Sequence, residues 1–339
     1  MFEVNMSASS TNSFDFSSAK GVRIGYLLLE KKQVKNKWKE FCTFAEKHGC
    51  IVAKSTFTLD TDIESQAQQQ VGGPFDIVFA KFTDYLVDEV RQDKTAIEQI
   101  QRWEAYMKKY PKTVVFDSVE ASRKLVDRVI IAKWLDQVFE QCEEEGLPVG
   151  APKFCVIDDG DDSIESMIEK HKIQFPVVGK TLQACGSAES HEMGIVFEQE
   201  GLSVFRKPFM IQEYWDHDAT VFKAFVIGKE IQLVVRSSLK NFRGSSQKDN
   251  IMFNSQGINQ NLDKSQADCH DAPDKKTLES LVAKVHANVG LNLFGFDIIQ
   301  NAHTKKWTII DVNAFPGYKG FQNQHQHMLS LGLQYLSEK

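Results

Sequence analysis

The chain has 339 residues, 42% of them apolar and 25% charged, with a net charge of −6, an ordinary globular profile long enough for two or three small domains. That mildly acidic balance argues against a general nucleic-acid binder, and no apolar run approaches the roughly 20 residues of a membrane span. Cys42, Cys50, Cys142, Cys155, Cys185 and Cys269 form no Cys-x-x-Cys pair, so reduced thiols in a cytoplasmic protein are expected.

Residues 1–20 are rich in Ser, Asn and Phe but lack a basic start and a continuous apolar core. They read as a disordered tail rather than a signal peptide. Val22 to Leu29 is an apolar strand, followed by a charged helix from about Val34 to His48. Ile51 to Thr56 and Phe75 to Ala80 are further strands, with a polar helix between them. A helix over about Tyr85 to Lys109 and a short strand over Thr113 to Phe116 complete a βαβαβαβ alternation. That order predicts an open parallel sheet covered by helices.

The second unit differs. One helix is expected from Ser118 to Glu145, ending at Gly146 and Pro148, then a strand over Lys153 to Ile157. A helix from Asp161 to His171, a strand from Pro176 to Lys180 and a loop from Cys185 to His191 follow, and Phe209 to Trp215 closes the unit. Beyond it the pattern turns β-rich, with strands over Val221 to Ile227 and Ile231 to Arg236. A polar loop spans Asn241 to Asp271, and a helix from Asp274 to Val289 leads into two acidic strands. A final helix covers about Gln322 to Leu336. Divisions near Asp117 and Glu213 give domains over 21–117, 118–213 and 214–339.

The two acidic strands carry the sharpest chemistry. Asp297 lies in Leu293-Phe294-Gly295-Phe296-Asp297-Ile298-Ile299, and Asp311 and Asn313 lie in Thr308-Ile309-Ile310-Asp311-Val312-Asn313 before Pro316-Gly317. Either acid alone fits a turn or cap role. Together they are hard oxygen donors on otherwise buried strands, two of them sharing one face at a spacing of two, and they suit magnesium.

Cations supply the counterpart. Lys31, Lys32, Lys35, Lys37 and Lys39 cluster after the first strand, and Arg236, Lys240 and Arg243 cluster later, a pattern compatible with a small, highly charged anion. Lys223 interrupts Val221-Phe222-Lys223-Ala224-Phe225-Val226, where it either snorkels to an edge or faces an anion. Gly179-Lys180-Thr181 matches the end of a phosphate-binding P-loop, but Gln174 stands at the upstream glycine position, so that reading fails. Lys180 still ends a strand from which it reaches phosphate as a point charge. No Ser-His-Asp, Cys-His or zinc spacing is present. Metal-ligating oxygens and phosphate-seeking cations, with no covalent nucleophile, describe phosphoryl transfer.

Leu125-Val126-Asp127-Arg128, Lys180-Thr181, Ser190-His191-Glu192-Met193-Gly194-Ile195-Val196-Phe197, Ser238-Leu239-Lys240-Asn241-Phe242 and Asp311-Val312-Asn313-Ala314-Phe315-Pro316-Gly317 occur in that order. Together they resemble the inositol 1,3,4-trisphosphate 5/6-kinase (inositol-tetrakisphosphate 1-kinase) family over about residues 21–336. The resemblance implies an α/β ATP-grasp fold of three units, with nucleotide between the central and C-terminal sheets and the first domain on the substrate side. It implies that Arg128, Lys180, Ser238 and Ser255 line the ATP site, with Gln212, Glu213, Tyr214 and Trp215 as the hinge beside adenine. Asp297, Asp311 and Asn313 would hold magnesium, two ions being expected. Lys32, Lys81, His191, Lys223, Lys240, Asn313 and Gly317 would face an inositol polyphosphate, with His191, Lys223 and Arg236 neutralising charge during transfer.

The implied reaction is phosphorylation of inositol 1,3,4-trisphosphate at the 5- or 6-hydroxyl, of inositol 3,4,5,6-tetrakisphosphate at the 1-hydroxyl, or of both, by a monomer without nucleic-acid or membrane partners. The chain departs from the family pattern in a Lys180–His191 loop one residue longer, Cys185 in place of a His, Ser237 in place of a Pro and Asn259 in place of a Ser. Two rivals are a carboxylate–amine ligase and a non-catalytic inositol-phosphate-binding protein. Basic residues spread over two units disfavour the first, and the intact acid set disfavours the second.

Overall fold

The computed structural model describes residues 14–53, 62–160, 163–186, 189–244, 246–255 and 271–339. The first part runs β1 (Arg23–Leu27), α1 (Glu30–Lys35), α2 (Trp38–Lys47), β2 (Ile51–Val52), α3 (Ile63–Val71), β3 (Ile77–Ala80), α4 (Thr83–Val90), α5 (Lys94–Lys109) and β4 (Val114–Phe116). Its strands form a parallel sheet in the order β2-β1-β3-β4, the alternation expected from the sequence. Residues 54–56 of the strand expected to start at Ile51 lie outside the described residues. Helix α5 buries Ala96, Ile100, Trp103 and Tyr106, a stripe at helical spacing.

The single helix expected over 85–109 is two. Asp93 caps α5 by accepting from the Ala96 N–H at 2.9 Å, and Gln92 takes a left-handed φ of 63°. One capping aspartate outweighs an apolar periodicity that continues through the break. The helix expected over 118–145 is likewise α6 (Val119–Arg123) and α7 (Arg128–Glu144). Asp127 Oδ1 accepts from the N–H groups of Val129 and Ile130 at 2.7 and 3.0 Å, starting the second helix. The helix expected over 34–48 breaks between α1 and α2, where Lys37 has a φ of 51°.

The tail reading also changes. From Phe14 onward the chain is ordered against the C-terminal helix α10 (Gln324–Ser337) and α2. Phe14 meets His327 edge-on at 4.8 Å, and Phe16 meets Phe44 at 5.4 Å. Two aromatic anchors two residues apart hold it down; residues 1–13 lie outside the described set.

Two further sheets form among the described residues. One takes β5 (Phe154–Ile157), β6 (Val177–Thr181), β7 (Glu192–Val196), β8 (Phe209–Glu213) and β11 (Ile251–Asn254) in the antiparallel order β11-β7-β6-β8-β5, with α8 (Ile164–His171) packed against β5. The other takes β9 (Thr220–Ile227), β10 (Glu230–Ser237), β12 (Leu293–Gln300) and β13 (Trp307–Ala314) in the antiparallel order β10-β9-β12-β13. β7 begins where a loop was expected to end, and β11 falls inside the polar loop expected over 241–271.

Helices α7 and α9 (Lys275–Val289) cover one face of the β9–β13 sheet. There Trp134, Leu135 and Val138 pack with Leu281, Val285, Phe222, Phe294 and Phe296, each such burial worth about 1.5–3 kcal/mol. Strand alternation therefore sends Lys223 and Phe225 to the other face. Toward its end that face meets the β1–β4 sheet and α2, where Phe225, Ile227 and Val234 share a core with Trp38, Phe79 and Tyr318. Between this face, the β6–β7–β8 sheet and α1 lies the cavity.

Candidate functional site

The cavity has a volume of about 1100 Å³. Its floor is a row across three strands: register sets Lys223 opposite Asp297 and Asp297 opposite Asp311. Lys223 Nζ donates to Asp297 Oδ1 at 2.7 Å, with 11% and 23% of the two side chains exposed. Strand β9 is internal to its sheet and buried along its length, so Lys223 does not snorkel to an edge; the anion it faces here is the chain's own Asp297. Burial pushes the Asp297 carboxyl up; Lys223 pulls it down and Asp311 pushes it further up. Asn313 Nδ2 donates to Asp311 Oδ2 at 2.5 Å. A register shift after Asp297 pairs Ile298 with Ile309 and leaves Ile310 in the cavity wall, as a β-bulge does.

Among the described residues no three His, Cys, Asp or Glu side chains gather as a metal cluster. The donor set is two carboxylates and one amide. It fits a hard cation such as magnesium, which keeps several waters and phosphate oxygens in its shell and needs few protein ligands.

One wall of the cavity is a slot between Val178 and Ile195 of the central sheet and Val221, Ile299 and Ile310 of the C-terminal sheet. Lys180 on β6 is buried and donates to Gln212 Oε1 on β8 at 2.8 Å. Burial, with the Arg128 guanidinium nearby, pushes its ammonium down to about 8. Arg128 opens α7 and donates to the carbonyls of Thr181 at 2.7 Å, Ser190 at 2.6 Å and Gln183, so it clamps both ends of the loop that delivers His191. At the slot's end the N–H groups of Glu213 and Tyr214 bond to Lys153 and Pro176 carbonyls. The Tyr214 hydroxyl donates to the Lys240 carbonyl at 2.9 Å. Ser238 Oγ lies 2.8 Å from His217 Nε2, and Ser255 Oγ 3.3 Å from His191 Nδ1.

The opposite end is basic. Lys32 and Lys35 come from α1. Lys81, just after β3, donates to the Ala314 carbonyl. Burial pushes Lys81 down to about 8, helped by Lys32 and Lys35. Arg236 near the end of β10 pairs with Val221, two residues along β9 from Lys223, and lines the same cavity. Burial, then the Arg128 guanidinium, lower the His191 imidazole, and Asp311 opposes them.

The fold brings Lys32, Lys81, Arg128, Lys180, His191 and the 212–215 segment into one cavity with Lys223, Arg236, Ser238, Ser255, Asp297, Asp311, Asn313 and Gly317. Lys240 is the exception: it is exposed, lies outside the cavity and rests over the Phe242 ring at 5.8 Å. The Tyr214 bond holds the Lys240 backbone, and the side chain turns to solvent. Cys185 and Ser237 line the cavity, and Asn259 lies outside the described residues.

Two lining residues are not singled out as site residues by the sequence reading, which names Lys35 only as one of the basic cluster and His217 not at all. Lys35 lines the cavity, and its spacing of three from Lys32, which puts both on one helix face, is the signal that marks it. His217 is buried and bridges the Trp215 carbonyl at 2.7 Å to Ser238; nothing in its local sequence distinguishes it from a turn residue.

Residues 143–333 match the family model described as the inositol 1,3,4-trisphosphate 5/6-kinase ATP-grasp domain, and residues 23–122 match its pre-ATP-grasp domain. The chain is 33% identical over 321 residues to an inositol-tetrakisphosphate 1-kinase of Danio rerio, covering 92% of this chain and 78% of that protein. It is 32% identical over 310 residues to that of Xenopus laevis, covering 89% and 76%. Among solved structures it resembles D-alanine–D-alanine ligase from Bacillus anthracis (TM-score 0.55, 14% identity, 94% of this chain and 98% of that one). It also resembles the ADP complex of N5-carboxyaminoimidazole ribonucleotide synthetase (TM-score 0.54, 11% identity, 91% and 75%). At these identities the structural likeness carries the ATP-grasp fold alone.

Proposed function

Because the chain belongs to the inositol 1,3,4-trisphosphate 5/6-kinase family, we propose a division of labour within its cavity. The protein is an ATP-dependent inositol phosphate kinase of α/β ATP-grasp fold. In our reading the apolar slot takes the adenine, with Gln212, Glu213, Tyr214 and Trp215 along its edge. Lys180 and Arg128 hold nucleotide phosphates, and Ser238 and Ser255 line the same path. Asp297, Asp311 and Asn313 would hold magnesium, two ions in this proposal; when bound, magnesium neutralises phosphate charge.

Lys32, Lys81, His191, Lys223 and Arg236 bind the phosphates of an inositol polyphosphate and orient its hydroxyl toward the transferring group. Phosphoryl transfer through a loose transition state rests on positioning and charge stabilisation, so no strong general base is required. His191 accepts or donates a hydrogen bond at the acceptor. The acceptors proposed are inositol 1,3,4-trisphosphate at the 5- or 6-hydroxyl and inositol 3,4,5,6-tetrakisphosphate at the 1-hydroxyl. A cytoplasmic location is supported by the free cysteines, of which Cys42, Cys50, Cys142 and Cys155 are buried; among the described residues no helix is long and apolar enough to cross a membrane.

The observation that carries this reading is the Lys223–Asp297–Asp311 row, which stands where the slot meets the basic end of one cavity. The test is to incubate purified protein with ATP, magnesium and each isomer and count phosphates on the product. Absence of any newly phosphorylated inositol would sink it.

A further inference from the structure

Lys35, exposed on α1, lies against a glycine in the cavity lining. A Cβ built on Gly317 would meet Lys35 Cγ and Cε at 2.8 Å each, so the lysine stem lies along the Gly317 backbone in space that any side chain would take. Gly317 itself is outside the left-handed region, and its backbone conformation does not demand glycine. What an added Cβ would displace is the Lys35 stem above it. The stem directs the Lys35 ammonium toward the cavity end shared by Lys32, Lys223 and Arg236, each of which repels its charge. Among the described residues Lys223 is paired with Asp297, while no carboxylate pairs with Lys32, Lys35 or Arg236. Cations converging on one space without a matching carboxylate fit a polyanion.

We infer that Lys35 is a further acceptor-binding residue, engaging a phosphate of the inositol polyphosphate beside the Phe315–Gly317 turn, and that Gly317 acts by seating it. This rests on the acceptor assignment above and adds a residue to it. Gly317 is then a positioning residue, acting through Lys35 rather than on the ring.

The experiment compares Lys35→Ala, Lys35→Arg, Gly317→Ala and the Lys35→Ala/Gly317→Ala pair with the natural protein. KM and kcat are measured for inositol 1,3,4-trisphosphate and for ATP, and trisphosphate affinity is measured by calorimetry without turnover. Losing one charge-assisted phosphate contact raises the acceptor KM and Kd about ten- to hundred-fold, with kcat within about threefold and the KM for ATP unchanged; Lys35→Arg restores most of the affinity. Gly317→Ala weakens acceptor binding when Lys35 is present and adds little once it is Ala. An unchanged acceptor Kd in Lys35→Ala, an equal Gly317→Ala effect in both backgrounds, or a rise confined to the KM for ATP overturns the inference. If the natural protein binds the trisphosphate but makes no product, the kinase reading falls, and the calorimetric comparison still judges Lys35.

Discussion

Replacing Lys223 with Met removes the ion pair in which Lys223 Nζ donates to Asp297 Oδ1 at 2.7 Å. Two effects compete. Asp297 is left ionised in a largely buried position opposite Asp311, and breaking such a pair costs about 3–5 kcal/mol. The cavity keeps water within reach of a side chain that is 23% exposed, so the lower bound, about 3 kcal/mol, applies. Against this, Lys35 and Lys223 no longer repel each other. In a solvent-filled cavity that relief is below about 1 kcal/mol, and the loss wins.

At about 2.1 cal/mol/K of unfolding entropy per residue over 339 residues, 3 kcal/mol lowers Tm by about 4 °C. The pH dependence has a definite sign. Burial already raises the folded Asp297 carboxyl above its ordinary value, and Lys223 is what restrains it. Without Lys223 the folded state binds its proton more readily than the unfolded chain, so the variant regains stability as pH falls from 7 toward 4. Thermal unfolding followed by circular dichroism at pH 7 and pH 5 tests both parts, with Lys223→Met/Asp297→Asn as the control that removes the stranded charge. An unchanged Tm at pH 7, or a penalty that grows on acidification, refutes the reasoning.

Three further outcomes follow from particular groups. Lys180 and Lys81 are both pushed down to about 8, so the free enzyme loses phosphate-binding charge as pH rises through that value. We expect kcat/KM to fall above about pH 8; a profile flat to pH 9.5 would contradict this. Asp117 accepts from the N–H groups of Asn292 and Leu293 at 2.8 and 3.0 Å, and burial pushes its carboxyl up to about 6 from an ordinary 3.8. A raised folded value means stability declines as pH rises from about 4 to 6, by roughly 3 kcal/mol; in Asp117→Asn denaturation that slope should be missing, and an identical slope would refute the assignment. Lys240→Ala should leave both KM values within about twofold, since an exposed side chain outside the cavity contributes little; a tenfold rise in steady-state KM would return it to the site.

Legibility in the sequence followed the reach of each signal. The acidic strands were readable because Asp297 and Asp311 are anomalies in apolar runs, and period two alone puts Asp311 and Asn313 on one face. The breaks at Lys37, Gln92 and Lys124–Asp127 were missed because apolar residues keep their helical spacing through them. Only a single capping aspartate marks the second and third. β11 was read as loop because its residues alternate between half-buried and exposed, so an edge strand carries no apolar run. The basic cluster announced an anion but not which lysine meets it: Lys31 and Lys39 lie outside the cavity while Lys32, Lys35 and Lys37 line it. That choice depends on a helix face set against Gly317, more than 280 residues away, a distance at which local pattern is silent.

The central claim is that Asp311 sits where nucleotide phosphate and acceptor meet. The most direct measurement follows phosphorylated product from inositol 1,3,4-trisphosphate, ATP and magnesium with the natural protein and with Asp311→Asn, a change that keeps side-chain size. The account predicts turnover in the first and a loss of at least about a hundredfold in kcat in the second, with trisphosphate affinity retained within about threefold and Tm nearly unchanged. Turnover that survives Asp311→Asn would contradict it.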